Sequence, residues 1–203
     1  MNPEFYRQTD VLAVAKGLLG KALFTRSQEG ALTGGIILET EGYAGVDDRA
    51  SHAYGGRRTP RTEVMYQAGG VAYVYLCYGI HHLLNAVTNV EGVPHAVLIR
   101  ALLPTVGIET MRARRGNKVS DLKLSSGPGS LCQALGITLE CNGASLCEEK
   151  DPKIWVADIG VRVKESDIST TPRIGVAYAG KDAALPYRFI LKSTNVDFRI
   201  DLL

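Results

Sequence analysis

The residue types best suited to chemistry in this chain fall at Glu39-Thr40-Glu41-Gly42-Tyr43 and at Tyr73-Val74-Tyr75-Leu76-Cys77-Tyr78, the second run continuing to Asn85. In an extended strand, alternation puts Glu39, Glu41 and Tyr43 on one face and Ile36, Leu38 and Thr40 on the other. The apolar lead-in predicts a strand that leaves a core and delivers two carboxylates beside a ring, where partial desolvation can make a carboxylate a useful base. In the second run Tyr73, Tyr75 and Cys77 share a face opposite Val74, Leu76 and Tyr78, so Tyr75 and Tyr78 need different jobs. Gly79 lets the chain turn directly after Tyr78, which predicts an exposed ring at a hairpin tip, a candidate wedge for the gap left by a flipped nucleotide. Taken alone, the acids also suit a solvated strand face, and the tyrosines are ordinary strand formers.

The remaining reactive residues are less specific. His81 and His82 are adjacent and point to opposite faces of a strand, which argues against a shared metal. Cys77, Cys132, Cys141 and Cys147 form no Cys-x-x-Cys pair and sit irregularly, so neither a zinc knuckle nor a disulfide framework is indicated, and they read as reduced thiols with Cys77 buried. His52 lies in a loop from which it can reach a pocket, and Arg57, Arg58 and Arg61 in the same loop can clamp phosphates.

Several elements must position these groups. Thr9 or Asp10 caps a helix carrying Val11, Leu12, Val14, Ala15, Leu18 and Leu19, which ends at Gly20. Strands are expected at 22–25 and 33–43 around a Gln28-Glu29-Gly30 turn, then at 71–78, 83–89 and 96–102. Between them, 45–70 is polar and irregular, as functional loops often are. Thr105 is expected to cap a helix running to Arg115, and Gly127-Pro128-Gly129 to precede a shorter one closed by Gly136. Strands at 154–163, 173–179 and 187–192 complete the reading. The whole is a single α+β domain over 1–203, with a mixed, mainly antiparallel sheet and helices packed on it.

The length of 203 residues suits one sizeable core. A net charge of +2 means that attraction to nucleic acid must come from a local patch. No apolar run approaches the ~18 residues of a membrane span, and Met1-Asn2-Pro3-Glu4 opens no secretory signal, so a soluble cytoplasmic protein is expected.

Order and spacing of the whole set are more specific than any part. Glu39 to Tyr43, His52, Gly55-Gly56-Arg57-Arg58-Thr59-Pro60-Arg61, Tyr73 to Gly79, Asn85, Leu98 to Ala101, Glu109 to Arg112, Ser126 to Pro128, Leu131 to Leu135 and Arg173 to Val176 together resemble the alkyladenine type of 3-methyladenine DNA glycosylase. The likeness covers about Thr9 to Lys192. It implies an enzyme that flips 3-methyladenine, 7-methylguanine, hypoxanthine or ethenoadenine out of duplex DNA and hydrolyses the N-glycosidic bond with water. By that resemblance Glu41 is the general base, Arg100 positions it, and the Val176 carbonyl holds the water. Tyr43, Ala50, His52, Tyr75 and Asn85 bind the base, with Asn85 excluding the 2-amino group of guanine. Tyr78 on a protruding hairpin is the wedge, and Arg57 and Met65 lie near the DNA backbone. No cofactor, metal or membrane is implied, and the partner is damaged duplex DNA, bound as a monomer in the nucleoid.

The chain departs from the family pattern in an interval between Asn85 and Arg100 two residues longer than in the eukaryotic form. Tyr178 also stands where a histidine is found there. Without a basic N-terminal extension, DNA affinity is expected to rest on the arginine loop and on Arg112, Arg114 and Arg115. Two other classes fit part of the pattern: a module that recognises modified bases without cutting, and a sugar hydrolase using Glu39 and Glu41. A steep loss of binding with added salt would mark a DNA partner.

Overall fold

The computed structural model describes residues 1–147 and 150–192. Helices α1 (Pro3–Tyr6) and α2 (Val11–Leu18) lead into β1 (Ala22–Arg26) and β2 (Leu32–Tyr43). After three short 3-10 turns come β3 (Ala72–Cys77), β4 (His81–Thr88) and β5 (His95–Val106), then α3 (Ile108–Arg115), α4 (Asp121–Leu124) and α5 (Pro128–Leu135). Strands β6 (Ile154–Ala157), β7 (Ile168–Thr171) and β8 (Arg188–Leu191) close the described chain.

The strands form one sheet in the order β3-β4-β5-β2-β1-β6, with β8 joining β2 and β7 joining β8. Every pairing among the described residues is antiparallel, so the expected mixed character is absent. Strand β2 is shared along its length. Leu32 to Ile36 pair with β1, Glu39 to Glu41 pair with β8, and β5 runs along the other edge. The β2–β5 register slips three times, once at Gly34/Gly35 and twice beside the acids. Ile37 faces Leu102 and Glu39 faces Ala101, leaving Leu38 unmatched; Thr40 then faces Ile99, leaving Arg100 unmatched. Paired bulges of this kind bend strands and re-aim side chains. Here they turn Arg100 toward both acids of β2.

One sheet face builds the main core. Ile37, Val74, Leu84, Ala86, Val97 and Ile99 bury against Val14, Ala15 and Leu18 of α2, Met111 of α3, and Leu131 and Leu135 of α5. Helix α2 starts where the Asp10 carboxylate accepts from the Leu12 and Ala13 amides, and its Ala15 carbonyl accepts from the Thr40 hydroxyl at 2.8 Å. That bond anchors the back of β2 directly between the two acids. The other face of β3–β5 carries Tyr73, Val87 and Ala96, packed under Ala53, Val64, Met65 and Tyr66.

Of the two caps expected for α2, Thr9 or Asp10, the structure uses Asp10. Several other sequence expectations are corrected. Thr105 continues β5, and Gly107, with φ of 69°, precedes α3. The 154–163 strand ends at Ala157, and 173–179 is no strand: it holds a loop and the start of a 3-10 segment, while Ile168–Thr171 supplies the strand. The 45–70 loop is ordered by the turns Gly45–Asp47, Tyr54–Gly56 and Glu63–Tyr66, because Asp48, Ser51, Thr59 and Thr62 bond back to its main chain. Cys77 is only half-buried.

Candidate active site

The acids sit where the sheet branches. Glu41 is fully buried, and its carboxylate is fixed from three elements. Oε2 accepts from the Tyr43 hydroxyl at 2.8 Å and lies 3.3 Å from Arg100 Nη1, while Oε1 accepts from the Ile174 amide at 2.8 Å. The alternation expected from the sequence therefore holds, in that Glu39 and Glu41 meet the same arginine: Arg100 Nε donates to Glu39 Oε1 at 2.7 Å. Burial, then the adjacent Glu41 charge, push the Tyr43 phenol well above its ordinary pKa, so it remains a proton donor to that carboxylate.

Tyr43, whose hydroxyl bonds Glu41, lines a pocket open to solvent together with Ala50, His52, Met65, Tyr75, Asn85 and Tyr178; Glu41 itself does not line it. The rings are not parallel walls. His52 meets Tyr75 edge-on, with centroids 4.7 Å apart and planes at 77°. Its Nδ1 lies 2.8 Å from the Tyr73 hydroxyl and its Nε2 3.4 Å from Arg61 Nη2. Arginine only donates, so Nε2 accepts and Nδ1 carries the proton. Burial first, then Arg61 and Arg57, hold the His52 pKa down at about 4, so the imidazole is neutral near pH 7. Arg61 also covers the Tyr75 ring at 4.7 Å. Asn85 is buried, and its amide donates to the Tyr73 carbonyl at 3.2 Å, which fixes its orientation across the β3–β4 ladder.

A second buried ion pair supports the pocket from behind. Arg173 Nη1 and Nη2 lie 2.5 and 2.8 Å from the two carboxylate oxygens of Asp48, with both side chains almost wholly buried. The same guanidinium donates to the Gly42 and Asp182 carbonyls and lies 4.8 Å from the Tyr43 ring. Asp48 in turn accepts from the Ala44 and Ala50 amides. One pair thus joins the end of β2, the loop carrying Ala50 and His52, and the segment carrying Ile174 and Val176. Val176 is buried with Ala50 and Ala179 against Tyr43, and its carbonyl already accepts from the Ala179 amide.

Tyr78 stands apart from the pocket lining. It is 89% exposed at the tip of the β3–β4 hairpin, with φ of 51°, and Gly79 follows at 73°. A non-glycine residue in the left-handed region is strained by roughly 1–2 kcal/mol. Positive φ at both central residues is what a type I′ hairpin turn requires. Arg57 is exposed in the loop, whereas Met65 is 1% exposed with its side chain in the pocket, so only its main chain can meet a DNA backbone. Arg112, Arg114 and Arg115 are committed internally: Arg112 to Glu109 and Asp121, Arg114 to Thr33 and the Ala134 carbonyl, Arg115 to Gln133 and the Leu124 carbonyl. They do not line the pocket, and the arginine loop is the cationic surface beside it.

Sequence reasoning missed the Ile174 amide, the Asp48–Arg173 pair, and Tyr73 and Tyr178 as part of the site. Tyr178 is 70% exposed yet lines the pocket and donates to the Ala50 carbonyl at 3.0 Å. An Asp and an Arg 125 positions apart carry no local signal of pairing; burial reveals it only in three dimensions. Among the described residues, no group of three or more His, Cys, Asp or Glu side chains is placed to hold a metal ion, and no helix is long and apolar enough to cross a membrane.

Comparison with known proteins agrees with this geometry. The family model described as methylpurine-DNA glycosylase (MPG) matches residues 4–195. A Chlamydia felis protein named "Putative 3-methyladenine DNA glycosylase" is 48% identical over 194 residues, covering 94% of this chain and 96% of its own length. Proteins of the same name from Chlamydia abortus and Bacillus cereus are 48% and 46% identical, covering 96% and 92% of this chain and 100% and 93% of their own. A match across nearly the whole chain, on a fold whose buried carboxylate is bonded to a tyrosine of a ring-lined pocket, places this protein in the methylpurine-DNA glycosylase family, DNA glycosylases that hydrolyse N-glycosyl bonds.

Proposed function

We propose that this protein removes damaged purines, namely 3-methyladenine, 7-methylguanine, hypoxanthine and ethenoadenine, from duplex DNA by flipping the nucleotide into the Tyr43–His52–Tyr75 pocket. Water then hydrolyses the glycosidic bond and leaves an abasic site. The observation that carries the reading is Glu41, a buried carboxylate fixed on three sides and bonded to Tyr43 of that pocket. An ionised carboxylate has about four acceptor positions. Tyr43, Ile174 and Arg100 take three; the fourth, on Oε1, which solvent does not reach in the free protein, is the one assigned to a water that gives up its proton as it attacks C1′. The same negative charge steadies the oxocarbenium-like sugar as the base departs. The Val176 carbonyl retains a second lone pair for that water.

The remaining roles follow from position. Tyr43 and Tyr75 offer ring faces to an extruded base, and the neutral His52 closes the side. Asn85, locked by the Tyr73 carbonyl, cannot turn away from a guanine 2-amino group, so exclusion by an unpaired or clashing contact is its part in selectivity. The strained, exposed Tyr78 fills the stack vacated by the flipped nucleotide. Arg57 serves the flanking phosphates. Bases alkylated at N3 or N7 are cationic and leave readily, which makes a dedicated general acid dispensable for them. A sugar hydrolase would need Glu39 as a free partner acid, but Glu39 is bound by Arg100 and Arg188.

The test uses end-labelled duplexes with one hypoxanthine or one 7-methylguanine, incubated with protein and then cleaved at abasic sites with alkali. Cleavage by the wild type, and its loss with Glu41→Gln, is the expected result. Full excision by Glu41→Gln would overturn the role given to Glu41, and tight lesion binding without cleavage would make the protein a recognition module.

A further inference from the structure

Around Glu41 the charges alternate in a chain. Glu41 meets Arg100 Nη1 at 3.3 Å, Arg100 Nε donates to Glu39 Oε1 at 2.7 Å, and the same oxygen accepts from Arg188 Nε at 2.6 Å. Side-chain exposure rises slowly along it, from 0% at Glu41 through 10% at Arg100 and 15% at Glu39 to 20% at Arg188, so water screens these interactions poorly. Arg188 is also the cross-strand partner of Glu41, and continues to the Thr171 hydroxyl.

We propose that Glu39 is a positioning residue that keeps Glu41 basic. An arginine gives its strongest pairing when two of its N–H groups serve one carboxylate. Arg100 does not do this for Glu41: its donors are divided, Nε to Glu39 and Nη1 toward Glu41. The bulge on β5 makes the division possible by turning Arg100 between the two acids. Glu39 therefore acts on Glu41 twice, with the same sign. Its own negative charge opposes ionisation of a second carboxylate on the same strand face, and its hold on Arg100 limits how far that cation stabilises the ionised form. Arg188 acts in the reverse sense, because it neutralises Glu39 and adds a positive charge opposite Glu41. The other groups facing Glu41 are the Tyr43 hydroxyl, the Ile174 amide and the Arg173 guanidinium, the last already paired with Asp48.

This inference rests on the reading of Glu41 as general base, and the experiment separates the two. Single-turnover excision is measured against pH on whichever of the 7-methylguanine and hypoxanthine duplexes the wild type cleaves, with spontaneous base loss subtracted. Glu39→Gln moves the acid limb of the profile down by about one pH unit or more, and its plateau falls less than about tenfold because a weaker base remains. Arg188→Gln moves the limb up by about half a unit or more. Glu39→Asp, which keeps the charge, stays near the wild type. A merely structural role for Glu39 lowers the rate by one factor at every pH, and that result, or shifts of both variants in one direction, overturns the inference. If Glu39→Gln fails to fold, the direction of the Arg188→Gln shift decides. A Glu41→Gln enzyme that keeps the wild-type acid limb removes the base assignment as well. Loss of excision in Glu41→Gln, with unmoved limbs in the other two variants, removes the tuning role alone.

Discussion

Asp48→Ala should be among the most destabilising substitutions in the chain, and the structure sets its size. The Arg173 side chain is wholly buried, and Asp48 is its only counter-charge at ion-pair distance among the described residues. Truncating one partner of a buried pair leaves the other charge uncompensated, at a cost of about 3–5 kcal/mol. Asp48→Ala also strips acceptors from the Ala44 and Ala50 amides, each worth about 1 kcal/mol. A total of about 5–7 kcal/mol follows, with a Tm lowered by about 10–28 °C for a chain of this size. Arg173→Met should cost less, about 3 kcal/mol, because the remaining carboxylate keeps both amide donors. The double variant should be far less unstable than the sum, with a coupling of at least about 2 kcal/mol. Urea unfolding of the four proteins measures all three quantities. An Asp48→Ala cost below about 1 kcal/mol, or additive single costs, would show that the pair is not what joins β2, the pocket loop and the Ile174 segment.

Three further substitutions probe separate parts of the argument. His52 has a folded pKa of about 4 against an ordinary 6.5, so the unfolded chain binds its proton first as pH falls. Its contribution is therefore whole above about pH 6.5 and is lost between there and about pH 4, by roughly 2 kcal/mol once partial solvent contact is allowed for; His52→Gln should flatten the wild-type stability slope in that window, and an unchanged slope refutes the assignment. Tyr78→Asn creates Asn-Gly at a turn with two positive φ values and should stabilise the free protein by about 0.5–1 kcal/mol, while excision from duplex falls at least about tenfold; a destabilised variant with intact excision contradicts both halves. In Gly35→Ala the new Cβ would lie 2.3 Å from the Leu103 carbonyl oxygen, so β2 and β5 must separate at a cost of at least about 2 kcal/mol in chemical denaturation; a neutral result would mean the two strands are not held this close.

Legibility of this chain in its sequence followed the range of the forces involved. The acid strand, α2 and the β3–β4 hairpin were readable because period, cap and turn residues are local. So was the shared face of Glu39 and Glu41, although the alternation that predicted it took no account of the bulges at Leu38 and Arg100 that let one guanidinium reach both. Strands at the end of the chain were misplaced by a different mechanism. The apolar run Ile174 to Ala179 looks like a strand, but Arg173 is drawn to Asp48 and Ile174 to Glu41, and those two bonds hold its start as a loop against β2. The arginines of α3 show how much pairing is hidden in the chain: Glu109 and Arg112 are an i,i+3 pair that spacing reveals, whereas Asp121 and the Ala134 and Leu124 carbonyls, which hold Arg112, Arg114 and Arg115, are brought to them only by the fold.

Arg61 apart, formal charge in the site is separated from its walls, and that separation bears on the chemistry proposed. His52 is neutral and Tyr43 protonated near pH 7, so the residues that would touch an extruded base present rings and dipoles rather than fixed charge. Asp48 and Arg173 are buried behind Tyr43, and Glu41 is bonded to Tyr43 within its own ladder of arginines. A cationic methylated purine can then stack on electron-rich tyrosine faces, while a neutral purine loses that attraction. Arg61 already occupies such a position over Tyr75, 4.7 Å from the ring, so a stacking base must exchange one cation–π contact for another or enter on the opposite face. On the Arg61 face the net gain from stacking is small, and under the proposed mechanism the larger part of discrimination comes from how easily the base leaves. That ordering predicts that lesion preference among these substrates tracks leaving-group ability more closely than binding affinity. Single-turnover rates and equilibrium dissociation constants measured on the same set of duplexes decide it, and rates that rank with affinity alone would refute it.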